Sequence, residues 1–396
     1  MTVRAMRTID RIVGVPLCIL VGWFAQVRAR FALKRKNPSP AVVLINKFFG
    51  LGSILLVTPL IHALKKNYPR SKVVFLTFDG NRELLQRFSH IDVILTIRSS
   101  GIAPFVLDTV KALMRLRRLR VDVSLDLEFF SKFSTLVQYV CGSRVRVGFE
   151  LPTRWRRWLL TDQIPIDRTK HVSELFLSQL RVLGISTSKV HPPSILVSDA
   201  DVEEACRCLG LDHIRDRIVC VNVNAGEASL DRRWHKTNFA TLIHRLANAF
   251  PGVTFLFTGT PEEKSYVEEV FTLMPMQNSH VRNVAGMTSL SGFFALLSRS
   301  TLLITNDSGP LHLASSVGVP TISMFGPESP EFYGPLSGTN ILFYEKTMCS
   351  PCLNIYQAKQ FACPFDRRCL ERINVADVFH AARSILADDA VKRAVA

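Results

Sequence analysis

From residue 41 onward, short apolar runs alternate with longer stretches in which apolar residues recur at helical spacing. The runs predict buried strands at residues 41–46, 72–78, 92–97, 121–127, 217–223, 253–257, 302–304 and 320–325. The stretches between them predict helices at residues 53–68, 104–119, 171–184, 237–250, 262–273, 289–300 and 374–388. Because repeated strand–helix units form parallel sheets covered by helices, the pattern predicts an α/β protein with two doubly wound, Rossmann-like halves.

The length and the apolar content agree with two domains. A chain of 396 residues with 47% hydrophobic composition is long enough to bury two cores. The predicted divisions are a basic, hydrophobic segment at 1–40, a first domain at 41–185, a polar linker at 186–194, a second domain at 195–373, and a C-terminal helix and tail at 374–396.

An uncharged apolar run at residues 12–27 is flanked on both sides by arginine and lysine. It is shorter than the roughly 20 residues that a bilayer-spanning helix needs, and no small-residue cleavage site follows it. Flanking cations and Trp23 favour a segment that lies in the interface of an anionic leaflet. The alternative is a helix packed on the protein's own surface.

The charge balance favours polyanionic partners. Lysine plus arginine number 49 and aspartate plus glutamate 33, which gives a formal net charge of +16. Anionic lipid and phosphorylated glycolipid fit this balance. Nucleic acid is not predicted as a partner, because no zinc-finger, RNA-recognition or aromatic-interleaved basic motif is present.

Nine cysteines are scattered along the chain, which fits a reducing cytoplasm. The last four, Cys349, Cys352, Cys363 and Cys369, have spacings compatible with a closed four-thiolate zinc site. Free or paired thiols are the alternative. The sequence therefore leaves a structural zinc open and gives no sign of a cofactor required for catalysis.

Residues 301–330 carry the most specific signal in the chain. The apolar run 302–304 stops at Asn306, Asp307 and Ser308, and a helical pattern begins near His312. A turn between the carboxyl end of a parallel strand and a helix N-terminus is a favoured anion site. A second strand ends nearby at Gly326, so two loops could hold a diphosphate from both sides. The alternative is that Asp307 only caps the helix.

This stretch resembles the nucleotide-sugar signature of the ADP-heptose:lipopolysaccharide heptosyltransferases, glycosyltransferase family 9. The matching positions are Asp307, Ser308, Gly309, His312, Leu313, Ala314, Gly318, Pro320, Phe325, Gly326, Pro327 and Pro330. Glu328 stands where the family usually has threonine. The resemblance implies a GT-B fold, in which two Rossmann-like domains flank an interdomain cleft, the first binding the acceptor and the second the nucleotide sugar.

The resemblance extends to other donor-side residues. Asn224 begins the loop after the strand at 217–223, and Arg232 stands at the position of a family lysine that lies near the phosphates. A solvated surface position is the alternative for Arg232. Glu262 and Glu263 open a helix where the family places a carboxylate on the ribose, although acidic residues also suit a first helical turn. The sequence does not choose between these two glutamates.

The acceptor side departs from the family pattern. Gly50 and Gly52 match the loop after the first strand, but Ser53 replaces the aspartate taken as the general base. Serine is no base at neutral pH, although Ser53 could cap the following helix. Asp126 and Glu128 end a strand of the same domain, and we hypothesise that Glu128 is the base. A charge at a helix N-terminus is the alternative for Glu128.

Together these features predict a peripheral enzyme at the cytoplasmic face of the cytoplasmic membrane. The predicted activity is inverting transfer of a heptose-like sugar from a nucleotide diphosphate donor to a lipopolysaccharide-type or other lipid-linked, phosphorylated glycan. No Asp-x-Asp pair lies in a suitable loop, so metal-independent transfer is favoured. A non-catalytic nucleotide-sugar-binding protein is the alternative, because of Ser53. A nicotinamide oxidoreductase ranks last, since a complete GxGxxG is absent.

Overall fold

A computed structural model describes residues 3–29, 39–151, 154–186, 190–211, 217–226, 230–275, 279–353 and 362–395. The chain divides into two compact units, with the division between His191 and Pro192. Each unit is built on its own six-stranded parallel sheet.

The sheet of the first unit has the doubly wound order β3-β2-β1-β4-β5-β6. Its strands are β1 (Val42–Asn46), β2 (Lys72–Phe78), β3 (Val93–Ile97), β4 (Val123–Asp126), β5 (Val145–Phe149) and β6 (Asp162–Ile164). All adjacent pairs are parallel. Its helices are α1 (Val3–Ile12), α2 (Gly14–Ala29), α3 (Leu51–Leu55), α4 (Thr58–Asn67), α5 (Arg82–Leu85), α6 (Ile102–Leu119), α7 (Lys132–Val140), α8 (Arg154–Arg157) and α9 (Val172–Ser178), with 3-10 turns at Asp79–Asn81 and Gln179–Leu183. The strand order reverses between β1 and β4.

The second unit repeats this topology, with the strand order β12-β11-β10-β7-β8-β9. Its strands are β7 (Arg217–Asn222), β8 (Val253–Phe257), β9 (Val281–Asn283), β10 (Ser300–Asn306), β11 (Thr321–Phe325) and β12 (Asn340–Tyr344). Its helices are α10 (Asp199–Leu209), α11 (Lys236–Ala249), α12 (Lys264–Thr272), α13 (Leu290–Arg299), α14 (Gly309–Ser316), α15 (Pro330–Tyr333), α16 (Arg368–Glu371) and α17 (Val375–Val395), with 3-10 turns at Leu230–Arg232 and Pro261–Glu263. Here the order reverses between β7 and β10.

The predicted fold class, two Rossmann-like α/β units, is confirmed. The central strands β1, β10 and β11 are buried along their whole length. They were predictable from their apolar residues, such as the run Leu302 to Ile304 of β10. The pattern missed β5, β6, β9 and β12, which lie at or next to the edges of the sheets. β6 and β9 have three residues each and mix polar with apolar side chains, so they show no apolar run.

The helices α1 and α2 present one face to the first unit. Gly14, Cys18, Gly22 and Ala25 are buried against α7 and α8. The packing is close, because a Cβ atom at Gly14 would lie 2.8 Å from the Cβ of Lys132 and one at Gly22 would lie 3.0 Å from the Trp158 ring. One face of this segment therefore packs on the protein's own surface, as in the alternative that the sequence left open.

Candidate active site

The donor-side residues lie at the carboxyl ends of β7 and β10, which are hydrogen-bonded neighbours. This is the point at which the strand order of the second sheet reverses, and in doubly wound folds ligands bind in the crevice at that point. The loop from Val223 to Gly226 follows β7, and the turn at Asp307 and Ser308 joins β10 to α14. The fold thus brings together two loops that are about eighty residues apart in the chain.

Asn306, the last residue of β10, ties these loops together. Its Nδ2 donates to the carbonyl oxygens of Val223 (2.9 Å) and Asn224 (3.2 Å), and its Oδ1 accepts from the backbone N of Trp234 (2.8 Å). Asn306 is fully buried, as is Trp234, whose ring packs edge-on against Phe239. Since the amide group is occupied by backbone partners, Asn306 shapes the loops.

Arg232 connects the two loops through its guanidinium. Nη1 donates to the backbone oxygen of Asp307 (2.8 Å) and lies 3.4 Å from its carboxylate Oδ2. The Arg232 side chain is only 11% exposed, so the solvated surface position considered from the sequence is wrong. Its buried Nε has no hydrogen-bond partner within the described part of the chain. The cation is held in place with donor capacity to spare for a phosphate oxygen.

Arg233 and Asn224 form a second contact beside Arg232. Nη2 of Arg233 donates to Oδ1 of Asn224 at 3.1 Å, and the guanidinium lies 3.7 Å from the centroid of the Tyr266 ring. Burial lowers the pKa of Arg233, and the neighbouring Tyr266 and Glu263 oppose that shift. Sequence reasoning did not find Tyr266, because a tyrosine within a helix carries no local signal for stacking on a distant arginine.

The helix α14 begins directly at this turn. Ser308 is its N-cap residue, without a side-chain capping bond, and its hydroxyl instead lies 3.0 Å from that of Thr305. The alternative in which Asp307 caps the helix is therefore wrong, because the Asp307 carboxylate is drawn to Arg232. Gly309 is the first helical residue and His312 is buried one turn later. First-turn N–H groups have no partner within a helix, so they can donate to an anion.

Glu262 and Glu263 both serve the start of their helix. Oε2 of Glu263 accepts from the backbone N of Thr260 at 3.0 Å in a capping box. Glu262 is exposed, and hydrogen bonds from its own backbone N and from the Thr260 hydroxyl lower its pKa. The alternative role, stabilisation of the first helical turn, is thus observed, and the ribose contact stays a prediction.

The acceptor-side residues lie at the matching edge of the first sheet, where β1 and β4 end. Oε1 of Glu128 accepts from Lys47 Nζ (3.0 Å) and from the backbone N of Phe48 (2.7 Å) and Phe49 (3.0 Å). Oε2 accepts no hydrogen bond from the described residues. Glu128 lies two residues beyond β4 and before α7, so the helix N-terminal role considered for it is wrong.

Asp126, the last residue of β4, has a different set of partners. Its Oδ2 accepts from Arg156 (2.6 Å), Ser134 (2.8 Å) and Thr135 (3.0 Å), and its Oδ1 accepts from the backbone N of Glu128 (3.1 Å). Complete burial raises the pKa of Asp126, and the charge of Arg156 opposes the shift. Asp126 is therefore a buried anchor that fixes the backbone at Glu128.

Comparisons with known proteins identify the family of this chain. The family model described as glycosyltransferase family 9 (heptosyltransferase) matches residues 110–361, more than half of the chain. The chain belongs to glycosyltransferase family 9. It is 25% identical over 347 residues to lipopolysaccharide heptosyltransferase 3 of Escherichia coli strain K12, covering 86% of this chain and 96% of that protein.

Solved structures share the fold of this family 9 glycosyltransferase. A glycosyl transferase family 9 structure from Veillonella parvula aligns with a TM-score of 0.70 at 23% identity, covering 88% of this chain and 97% of that one. The structure of E. coli ADP-heptose lps heptosyltransferase II aligns with the same TM-score at 20% identity, covering 88% and 99%. Because the chain belongs to glycosyltransferase family 9, the protein is a transferase enzyme, and the non-catalytic and oxidoreductase alternatives gain no support.

At Ser53, where this glycosyltransferase departs from the family pattern, the side chain bonds to the backbone of the loop that precedes its own helix. Ser53 lies inside α3, and its hydroxyl donates to the carbonyl oxygens of Phe49 and Gly50, both at 2.9 Å. The capping role predicted for Ser53 is wrong, because the N-cap residue is Gly50, whose φ of 84° favours glycine. Gly52 is buried within the same short helix. The Ser53 hydroxyl therefore ties the helix to the backbone of the loop that precedes it.

The second donor-side loop, Gly326 to Glu328, is backed by the cysteine-rich segment. The backbone N atoms of Cys352 and Leu353 both donate to the Pro327 oxygen at 2.9 Å, and the Ser350 hydroxyl donates to the Gly326 oxygen. Glu328, which replaces the family threonine, is fully buried, with Oε1 accepting from the Ser329 N at 3.2 Å. The segment thus supports a loop of the family signature.

The four C-terminal cysteines lie near one another without forming a disulfide. Burial raises the pKa of Cys352 to about 11, and the thiols of Cys369, Cys363 and Cys349 add to the shift. Within the described ranges, no three His, Cys, Asp or Glu side chains are gathered closely enough to hold a metal ion. A structural zinc at these cysteines stays a prediction.

Several residues of the site were not found from the sequence. Lys47, Arg156, Arg7 and Asp10 each contribute a charge near the ends of β1 and β4. Asp10 carried a usable signal, because it is the only acidic residue among the first 40. The three cations lacked such a signal, because the chain is rich in lysine and arginine throughout.

Proposed function

We propose that this protein is an inverting, metal-independent glycosyltransferase that moves a heptose-like sugar from an ADP-linked donor to a lipopolysaccharide-type or other lipid-linked glycan. The sugar and the acceptor class are suggested by the similar lipopolysaccharide heptosyltransferase 3, and the donor by the similar ADP-heptose lps heptosyltransferase II. The observation that carries the proposal is the placement of Arg232, bonded to Asp307 where the loops of β7 and β10 meet.

The donor diphosphate is held by charge and by backbone N–H groups. Arg232 and the start of α14 stabilise the negative charge that grows on the departing diphosphate. A guanidinium can neutralise diphosphate charge without a metal ion, which supports metal-independent transfer. Asn306 fixes the loops, and Asn224, Ser308, Gly309 and His312 line the same edge.

The acceptor hydroxyl supplies the nucleophile. Its oxygen attacks the anomeric carbon while the bond from that carbon to the diphosphate oxygen breaks, and the bonding pair leaves with the nucleoside diphosphate. Glu128 receives the hydroxyl proton at Oε2, while Oε1 stays bonded to Lys47 and two backbone amides. Attack opposite the leaving group inverts the anomeric configuration.

Two exposed apolar faces of the first unit support peripheral membrane association. On α1, α2 and the residue between them, the exposed apolar residues are Ile9, Ile12, Val13, Leu17, Ile19, Leu20, Trp23 and Phe24. On α6 they are Ile102, Val106, Leu107, Val110 and Met114, accompanied by exposed Lys111, Arg115, Arg117 and Arg118. Apolar side chains bordered by cations suit an anionic bilayer surface.

The helix at residues 5–25 is long and apolar enough to cross a membrane, but one such helix near an N-terminus is weak evidence for spanning. Because one of its faces packs on the first unit, we favour a helix lying in the interface at the cytoplasmic side of the cytoplasmic membrane. The protein should co-sediment with phosphatidylglycerol vesicles, and Leu20→Asp should reduce the fraction of protein that co-sediments. Equal binding to neutral vesicles would argue against the charge-based part of the proposal.

The transfer activity can be tested directly with ADP-heptose and lipopolysaccharide from a heptose-deficient strain. We expect a product that carries one added heptose, formed equally well in excess EDTA, with an anomeric configuration opposite to that of the donor by NMR. Loss of activity in EDTA would contradict metal independence, and retention of configuration would contradict direct displacement. Donor binding without turnover would restore the non-catalytic alternative.

A further inference from the structure

Arg7 of α1 lies beside the acceptor-side residues of the first unit. Its guanidinium carbon is 5.1 Å from the centroid of the Phe130 ring, and the residue is half-buried. Burial lowers the pKa of Arg7, while the negative charge of Glu128 opposes the shift. The guanidinium is therefore partly desolvated and close enough to Glu128 for an electrostatic interaction with its carboxylate.

The neighbouring cations of this edge have carboxylate partners. Lys47 pairs with Glu128, Arg156 with Asp126, and Lys132 with Asp10. For Arg7, the described residues provide no carboxylate within ion-pair distance, and its buried Nε has no hydrogen-bond partner among them. A partly desolvated cation without a partner costs free energy, so an incoming anion would be favoured there.

The position of Arg7 is fixed by the residue one turn later. The Asp10 carboxylate accepts from the backbone N atoms of Lys132 and Phe133 at distances between 2.8 and 3.1 Å, which pins α1 to the start of α7. Phe130, beneath Arg7, packs against Phe49 with ring centroids 5.6 Å apart. Arg7 is thus held over the loops that follow β1 and β4, where the strand order of this sheet reverses.

We infer that Arg7 is an acceptor-recognition residue that binds a phosphate group carried by the lipid-linked glycan. This inference rests on the proposed function. A guanidinium presents parallel N–H donors that match phosphate oxygens, and stacking on Phe130 orients it. The outer face of the same helices carries the apolar residues proposed to enter the bilayer surface, so one element both contacts lipid and recognises the headgroup of the acceptor.

Arg7 lies outside the residues matched by the family model, which begin at 110. It also belongs to none of the signature positions described above. The Arg7 guanidinium, which has no carboxylate partner among the described residues, itself favours an anionic ligand.

The kinetic test compares Arg7→Ala and Arg7→Lys with Arg11→Ala, an exposed arginine of the same helix. Activity is measured in neutral detergent micelles with a phosphorylated acceptor and with the same acceptor after phosphatase treatment. For Arg7→Ala we expect the acceptor KM to rise roughly tenfold or more with the phosphorylated acceptor only. The donor KM and kcat should change little, Arg7→Lys should show a smaller rise, and Arg11→Ala should behave as wild type.

A binding test does not depend on turnover. Inorganic phosphate is titrated into the full-length protein while the Nε–Hε NMR signal of Arg7, assigned by its loss in Arg7→Lys, is followed. A saturable shift supports the site even if no transfer is detected, in which case only the proposed function fails. Unchanged acceptor KM values in an active Arg7→Ala enzyme would overturn the inference. Weaker binding to phosphatidylglycerol vesicles with an unchanged acceptor KM would also overturn it, because the bound phosphate would then belong to bilayer lipid.

Discussion

Replacing Glu128 with glutamine removes the negative charge from a buried ion pair and leaves Lys47 without its carboxylate partner. The two side chains are 1% and 5% exposed, with Lys47 Nζ 3.0 Å from Oε1. Removing one partner of such a pair costs about 3–5 kcal/mol. Glutamine keeps an acceptor oxygen for the backbone N of Phe48 and Phe49. We therefore expect the free energy of unfolding to fall by about 3 kcal/mol, at the lower end of this range.

The double variant Lys47→Met/Glu128→Gln separates stability from chemistry. With both charges gone, no buried ion remains unpaired, so most of the lost stability should return, with a coupling energy of about 2 kcal/mol. For a unit of this size, about 3 kcal/mol corresponds to a melting shift of roughly 6–12 °C. Thermal unfolding of the wild type, both single variants and the double variant completes a double-mutant cycle, which gives this coupling energy.

Transfer activity of the same four proteins then tests the role of Glu128. If Glu128 accepts the proton, its glutamine variants should lose roughly 10²–10⁴-fold in kcat, whether or not stability is restored. The kcat of Lys47→Met should fall by a far smaller factor, because the Glu128 carboxylate remains. A double variant that regains both stability and transfer would show that Glu128 only holds the loop. A single glutamine variant that melts like the wild type would refute the buried-pair reasoning itself.

Three further outcomes follow from the geometry, and a fourth follows from the spacing of the cysteines. Arg232→Ala should raise the donor KM roughly tenfold or more with little effect on acceptor KM. Asn306→Ala should destabilise the protein by about 3 kcal/mol in denaturant unfolding, because it leaves three buried backbone groups unpaired. Burial, together with the charges of neighbouring histidines, lowers the pKa of His62, so its stability contribution should fall as the pH drops below about 6.5, and His62→Gln should flatten that decline. Reduced, folded protein should contain about one zinc per chain, lost in Cys349→Ser/Cys352→Ser.

Each outcome has a matched control or a contrary result. Lys236→Ala, at an exposed position near Arg232, should leave the donor KM unchanged. An Asn306→Ala protein with wild-type stability would contradict the tethering role of that side chain. The sign of the His62 effect follows because a lowered folded-state pKa makes the unfolded chain bind more protons at acidic pH. Absence of zinc and iron from reduced, folded protein would end the structural-metal prediction.

The donor-side signature shows what a sequence can determine by itself. The residues from Asn306 to His312 are contiguous, and a strand, a polar turn and a helix follow from local periodicity and composition. The repeated pattern also determined the two α/β units, because strands covered on both faces are rich in apolar residues. The resemblance to the family was carried by these residues together with the stretch that follows them as far as Pro330.

The tertiary structure decided which polar groups have partners. The sequence put Asp126 and Glu128 two residues apart, but only the fold showed one anchored by Arg156 and the other bonded to Lys47. Only the fold showed that Ser53 lies within a helix and does not cap it, and that Arg7 lies over the Phe130 ring. These contacts join residues far apart in the chain, and their energetics depend on burial, which a side chain acquires only when the sheet and helices have packed around it.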